Sequence, residues 1–245
     1  MEKKISQTYE DFHKLSKPQI NVVNDKNFTY RIVLKFINEF LISPKNILDI
    51  GCGAGVLSLY LTSRGNKVLG IDISENAILA CKRSAKLLGL KDVSFKRMDF
   101  PNKIPTDKYD FVVCSEVIEH LKNDSLAIKR IYSLLNSGGI ALISVPSKKA
   151  PLYRLGLAEG FDRKVGHLRR YDFDELVNKC KKHGFKIAKA KKSEGVIRNI
   201  LFLNPVAGKF VRFIKFFVSD IFTFLDEISL KLFGESQIIL VLKKP

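Results

Sequence analysis

Acidic residues are scarce in this chain. Its 245 residues hold 25 Asp and Glu against 42 Lys and Arg, a formal net charge of +17. Such a deficit favours anionic partners (nucleic acid, an anionic membrane surface or an anionic small molecule) without choosing among them. Cysteines are few. Cys52, Cys81, Cys114 and Cys180 lie far apart, with no C-x-x-C pair and no histidine at metal spacing, which speaks against a zinc ribbon or a dithiol redox centre. They read as small buried apolar residues in a reducing compartment. No secretory leader is visible, because Met1 to Lys17 is polar and charged throughout, and a cytoplasmic protein is expected. A long uncharged apolar run is missing too. Arg212, Lys215 and Asp220 interrupt the most apolar segment well short of the ~18 residues that a spanning helix needs. Neither internal repeats nor low-complexity tracts occur.

What is present centres on Ile47-Leu48-Asp49-Ile50-Gly51-Cys52-Gly53-Ala54-Gly55-Val56-Leu57. An apolar strand runs into three glycines at alternate positions, followed directly by an amphipathic stretch. Glycine permits a sharp turn and close approach to a ligand, and the helix after it aims its free N–H groups at the turn. The spacing separates the competing loops. A phosphate-binding P-loop needs Lys-Ser/Thr after its last glycine, where Val56-Leu57 stands. A dinucleotide loop reads G-x-G-x-x-G, whereas Gly51, Gly53 and Gly55 give G-x-G-x-G. Asp49, inside the strand, is a group able to hold the loop through its N–H groups.

A second apolar run, Lys67 to Ser74, carries Asp72 about 20 residues after the first glycine, the place of a carboxylate that accepts both ribose hydroxyls of an adenosyl ligand. Ile73 follows it, and Ser74 is a helix cap. A third run, Val93 to Phe100, sets Asp99 at a strand end, positioned to accept from an adenine amino group, with Phe100 beside it. Strands are expected at 46–50, 67–72, 93–97, 109–115, 139–145, 185–190 and 237–242. Helices are expected over Phe28 to Phe40, from the spacing of its apolar residues, and after the Asp172 cap. Strict alternation of strand and helix implies a doubly wound parallel sheet with ligands at the carboxyl ends of the strands, where Gly51, Asp72, Asp99 and Ser115 fall.

Over roughly residues 45 to 190, the motifs ILDIGCGAG, VLGIDIS, Met98-Asp99, YDFVVCSEVIEHL and LLNSGGIALISVP make the chain resemble the class I S-adenosylmethionine-dependent methyltransferases. The resemblance implies a seven-stranded, mostly parallel Rossmann-like sheet. It implies S-adenosylmethionine held by Asp49, Gly51, Cys52, Gly53, Gly55, Asp72, Ile73, Asp99, Phe100 and Ser115, with Gly51 at the methionine moiety, Asp72 on the ribose and Asp99 at the adenine. One domain is expected: an N-terminal helical segment (1–44), a cofactor-binding core (45–150), a substrate-side segment (151–199), an apolar helical insertion (200–236) and the last strand (237–245).

Two clusters carry the remaining chemistry. Glu116, Glu119 and His120 stand at i, i+3 and i+4, so a helical turn would gather them on one side. This segment is similar to the Ser-Glu-x-x-Glu-His pattern of the ubiquinone-biosynthesis O-methyltransferases. That resemblance implies Ser115 on the cofactor and Glu116, Glu119 and His120 around Mg2+. Two carboxylates and an imidazole are not an all-oxygen set, so magnesium would be weakly held and keep waters. A base or positioning role for His120 and a packing role both stay open. The second cluster is Gly166-His167-Leu168-Arg169-Arg170-Tyr171. There His167 is a candidate general base, and the two arginines are candidates for holding an anionic group, or the stretch is a solvated basic loop.

The Asn-Pro-Pro-Tyr motif of many amino-group methylators is absent after the fourth strand, which tilts the reading toward an oxygen or carbon nucleophile. Between 200 and 233 lie 8 of the 18 phenylalanines, interleaved with Lys209, Arg212 and Lys215. A basic, apolar helix of this kind suits a membrane interface, although a lid, a homodimer contact or a core helix would use the same residues. The expected activity is methylation of an oxygen on a lipophilic or lipid-linked small molecule by a cytoplasmic enzyme peripheral to the inner membrane surface. RNA or protein is the alternative acceptor.

Overall fold

Ile47, Leu48 and Ile50 are all buried although they point to alternate sides of one strand, which requires a sheet covered on both faces. The computed structural model, which describes residues 9–14, 16–43, 45–203 and 217–245, has that arrangement. In chain order the elements are α1 (Arg31–Phe40), β1 (Asn46–Ile50), α2 (Val56–Ser63), β2 (Lys67–Asp72), α3 (Glu75–Leu87), β3 (Val93–Arg97), β4 (Tyr109–Ser115), α4 (Asp124–Leu134) and β5 (Leu135–Pro146). They continue with α5 (Pro151–Arg154), α6 (Glu159–Val165), α7 (Phe173–Lys182), β6 (Lys186–Ser193), α8 (Val196–Leu203), α9 (Phe217–Phe233) and β7 (Gln237–Lys243). One seven-stranded sheet runs β3-β2-β1-β4-β5-β7-β6, parallel except for β7, which is antiparallel to both neighbours.

Strand alternation divides the core. Phe111, Val113, Ile239 and Val241 pack with Leu34, Ile37 and Leu61 of α1 and α2 on one face. Val112, Cys114, Leu240 and Leu242 pack with Ile128 and Ile131 of α4 and Leu176 of α7 on the other. All four cysteines are buried and unpaired. The edge strand β6 exposes lysines at Lys186 and Lys192, charges that guard an open sheet edge.

Several boundaries differ from the sequence reading for local reasons. The helix expected from Phe28 begins at Arg31, because the Asn27 side chain accepts from the N–H groups of Thr29 and Tyr30 and holds 28–30 in a turn. Strand β5 starts earlier than expected, at Leu135. Helical structure before the last strand begins at Val196 in α8 and resumes in α9; residues 204–216, with Phe210, Phe213 and Phe216, lie outside the described residues, as does Pro44. Among the described residues, no helix is long and apolar enough to cross a membrane.

Candidate active site

Strands β1, β2 and β4 end on one side of the sheet at a cavity of about 1350 Å³. Its first half is built on the glycine turn. Gly51 (φ +68°) and Cys52 donate their N–H groups to Ile71 O at 2.8 and 3.0 Å, which fastens the loop to β2. A Cβ on Gly51 would overlap Cγ2 of Val117, the residue that closes the cavity from the β4 side. Gly55 (φ +82°) caps α2, and a Cβ there would lie 2.9 Å from Cys81 Sγ. Asp72 receives both sides of the turn: Oδ2 accepts from Gly53 N (2.9 Å) and Oδ1 from Ser74 N (2.9 Å). Ile73, Asp99 and Phe100 line the same half, with Asp99 accepting from Asn102.

The structure gives Asp49 a different partner from the loop N–H groups anticipated for it. Its carboxyl is buried and accepts the Ser58 hydroxyl of α2 at 2.6 Å. Burial pushes its pKa up to about 7 against this hydrogen bond. The folded protein therefore keeps a proton that the unfolded chain releases near pH 3.8. Stability that is complete below that pH falls as pH rises toward 7, by on the order of 4 kcal/mol. Asp49→Asn, which keeps an acceptor for Ser58, is expected to gain in thermal midpoint relative to the native chain between about pH 5 and about pH 8. A gain in the opposite direction would contradict the buried-acid reading.

An N-terminal turn, residues 9–13, roofs this half. Glu10 accepts from Glu75 N (2.8 Å), Asn76 N (3.1 Å) and the Ser74 hydroxyl (2.9 Å), all at the start of α3. His13 stands over Gly53, and Tyr9 packs edge-on to His120 with ring centroids 5.6 Å apart. Among the described residues, the buried Tyr9 hydroxyl has no hydrogen-bond partner.

The other half lies where β4 ends. Glu116 does not share a helical turn with Glu119 and His120: its backbone is left-handed (φ +55°), and only Ile118–His120 form a short 3-10 turn. The Glu116 carboxylate accepts from the Ser144 hydroxyl (3.0 Å) and Gln237 Nε2 (3.1 Å), and Ser144 Oγ also meets Ser115 Oγ at 2.7 Å. Glu119 is completely buried, and burial together with the nearby Glu116 carboxyl holds its pKa well above the ordinary carboxylate range. Two imidazoles face it: Nε2 of His120 at 3.7 Å and Nε2 of His167 at 3.9 Å from Glu119 Oε1. His120 pairs through Nδ1 with Gly166 O (3.1 Å) and His167 through Nδ1 with Asp162 (2.8 Å). Both partners are acceptors, so Nδ1 carries a proton in each ring and Nε2 turns inward. Burial, then the nearby His167, lowers the His120 pKa to about 4.

The arginines are committed elsewhere. Arg170 forms a two-pronged pair with Asp162, both bonds 2.7 Å, and Arg169 meets Asp124 at 3.1 Å. Neither offers a free guanidinium to an anionic ligand, and within the stretch Arg170 and Tyr171 are buried while Leu168 stays exposed.

A family model described as a methyltransferase domain matches residues 26–190. This chain belongs to the methyltransferase-domain family. Among curated relatives, the ubiquinone biosynthesis O-methyltransferase of Glaesserella parasuis serovar 5 is 33% identical over 117 residues, 45% of this chain and 49% of that protein. The one of Rickettsia felis is 32% identical over 158 residues, 60% of this chain and 64% of that protein. The chain spans about half the length of most curated relatives it matches. Among solved structures, magnesium protoporphyrin IX methyltransferase from Synechocystis PCC 6803 with bound SAH superposes with a TM-score of 0.68 at 17% identity, covering all of both chains. Phosphoethanolamine N-methyltransferase 2 of Haemonchus contortus in complex with S-adenosyl-L-methionine gives 0.62 at 18% identity, over 88% of this chain and 53% of that one. At these identities the likeness is one of fold.

The magnesium set implied by the O-methyltransferase pattern does not fit this methyltransferase domain. Among the described residues, the side chains that converge are Glu119, His120 and His167, while Glu116 accepts from Ser144 and Gln237. One carboxylate and two imidazoles do not suit a hard cation that prefers oxygen. Tyr9, Glu10, Asp162, Glu194 and Gln237 also belong to or support the cavity, and no motif in the sequence announces them.

Proposed function

We propose that the chain is an S-adenosylmethionine-dependent methyltransferase that methylates an oxygen of a lipophilic small molecule. The observation that carries this reading is one cavity with two unlike ends. The glycine turn and Asp72 lie at one end, the inward-facing Nε2 atoms of His120 and His167 at the other. At the first end, Gly51 leaves room for the methionine moiety, Asp72 and Ile73 take the ribose, and Asp99 with Phe100 takes the adenine, over Cys52 and Gly53. The sulfonium already makes the methyl group electrophilic, so the protein's main task is alignment in a water-poor cavity. At the second end, an acceptor hydroxyl gives up its proton beside the histidine pair as the methyl arrives.

Helix α9 supports a lipophilic acceptor. Its buried side is polar: Asp226 accepts from Gly195 N and Arg198 N, and Ser229 from Val196 N. Its apolar residues Ile221, Phe224, Leu225, Ile228 and Leu232 are exposed instead. An apolar stripe on a protein of net charge +17 suits the surface of an anionic membrane, from which a lipid-linked acceptor can be drawn.

The test is transfer of labelled methyl from S-adenosylmethionine into a host-cell extract separated into organic, RNA and protein fractions. Label is expected in the organic fraction and is lost with Asp72→Ala. Label in RNA or protein would overturn the lipophilic acceptor and turn the basic surface over to a macromolecule.

A further inference from the structure

Among the described residues, two that are not glycine have a left-handed backbone, Glu116 (φ +55°) and Glu194 (φ +61°). Both are glutamates, and both line the cavity. Glycine would adopt this conformation without strain, so a longer residue there marks a place where its side chain is needed. The Glu116 carboxylate has its partners in Ser144 and Gln237. Glu194 has no counterpart to them.

Glu194 lies on the turn between β6 and α8, and its surroundings fix that turn. Gly195 N donates to the Asp226 carboxylate at 2.9 Å, and a Cβ on Gly195 would collide with Ser229 Oγ and the Asp226 carbonyl of α9. Ser236 N, just before β7, donates to Glu194 O at 2.7 Å. The backbone thus delivers this side chain to the cavity wall that Asn199, Ser236 and Gln237 also line. Its carboxyl makes no hydrogen bond or ion pair with any described residue. Arg198, the guanidinium that acts on it, is turned to Asp226 (3.4 Å), the Thr223 hydroxyl and Phe28 O. Burial pushes the Glu194 pKa up to about 8, with Glu116 and Asp226 adding to the rise and Arg198 opposing it. What this wall lacks is a positive charge, since Arg170 and Arg198 are paired with Asp162 and Asp226. An ammonium group in the cavity would favour the ionised form of Glu194 and pair with it.

We infer that Glu194 recognises the acceptor, and that the acceptor carries an amino group, held as ammonium by the Glu194 carboxylate, besides the oxygen that is methylated. The inference rests on the proposed function for the acceptor site and adds a substrate class to it, a lipophilic hydroxyl compound bearing an amine. A net charge of +17 repels cations at long range, so a local pairing of this kind is what would admit one.

The probes are n-hexylamine and 1-hexanol, alike in chain length and different in charge. Each is titrated into the full chain saturated with S-adenosylhomocysteine, and ligand-observed NMR gives the affinities. The native chain is expected to bind the amine about 10- to 100-fold more tightly, as for a hydrogen bond to a charged group. Glu194→Gln should erase that preference and leave hexanol affinity unchanged. Glu194→Asn, a residue that tolerates the left-handed backbone better, removes the same charge and should give the same result. The exposed-acid variant Glu159→Gln should keep the preference. S-adenosylhomocysteine binding by each variant reports an intact fold. Equal affinities in the native chain, or a preference that survives both substitutions at Glu194, would overturn the inference. Methyl label in the organic fraction without an amine preference would leave the proposed function standing and remove this addition to it. An amine preference lost with Glu194, in a chain that labels nothing in the organic fraction, would do the reverse.

Discussion

Gly51→Ala is expected to abolish cofactor binding and to lower stability by about 2–5 kcal/mol. Two separate penalties add. An alanine at φ +68° costs roughly 1–2 kcal/mol, and forcing a methyl group into Val117 costs about 1–3 kcal/mol more. The turn cannot shift to escape, because the N–H groups of Gly51 and Cys52 are both tied to Ile71 O. Adding Val117→Ala separates the terms: the double variant should recover the steric part and keep the backbone part. S-adenosylmethionine titration with thermal unfolding checks both. If Gly51→Ala bound the cofactor normally, the turn would not be the cofactor's floor.

Asp162→Ala should be the most damaging change on the acceptor side. It leaves the Arg170 guanidinium, whose side chain is 4% exposed, without either of its 2.7 Å partners and frees His167 to rotate. Stranding a buried charge costs about 3–5 kcal/mol. For a chain of this size that is a fall of roughly 6–20 °C in thermal midpoint. The exposed pair of Arg163 and Glu159, 3.9 Å apart, is the internal comparison: Glu159→Ala should change stability by less than about 1 kcal/mol. Replacing Arg170 by methionine together with Asp162→Ala should restore part of the loss, since no charge is then stranded. Equal effects of Asp162→Ala and Glu159→Ala would mean that the network contributes nothing.

The fold was legible because each strand of the sheet centre is a short apolar run ending at a residue with a local job. Ile47 to Ile50 runs into Gly51, Lys67 to Ile71 into Asp72, and Tyr109 to Cys114 into Ser115. Those signals lie within a few residues of one another, and strand burial on both faces makes them nearly continuous in hydropathy. The far half of the cavity was much less legible. Glu116, Glu119 and His120 have helical spacing, yet β4 pairing continues through Glu116 N to Ser144 O, and the chain leaves the sheet through a left-handed residue. His167 meets His120 only because the loop after α6 folds back under Gly166, a contact between residues far apart in sequence. Helix α9 shows the same limit. Its phenylalanines suggest a buried or membrane-facing stripe, but which side turns inward is decided by Asp226 reaching Gly195 and Arg198.

The most direct test of the whole account is calorimetric titration of the full chain with S-adenosylmethionine, alongside Asp72→Ala. Asp72 ties the glycine turn to the start of α3 and sits where the ribose would lie, so the reading rests on it more than on any other side chain. One site per chain is expected, with affinity lowered at least about tenfold in the variant, as for the loss of a charge-assisted hydrogen bond or more. No binding by the native chain, or equal binding by both proteins, would contradict the account at its centre.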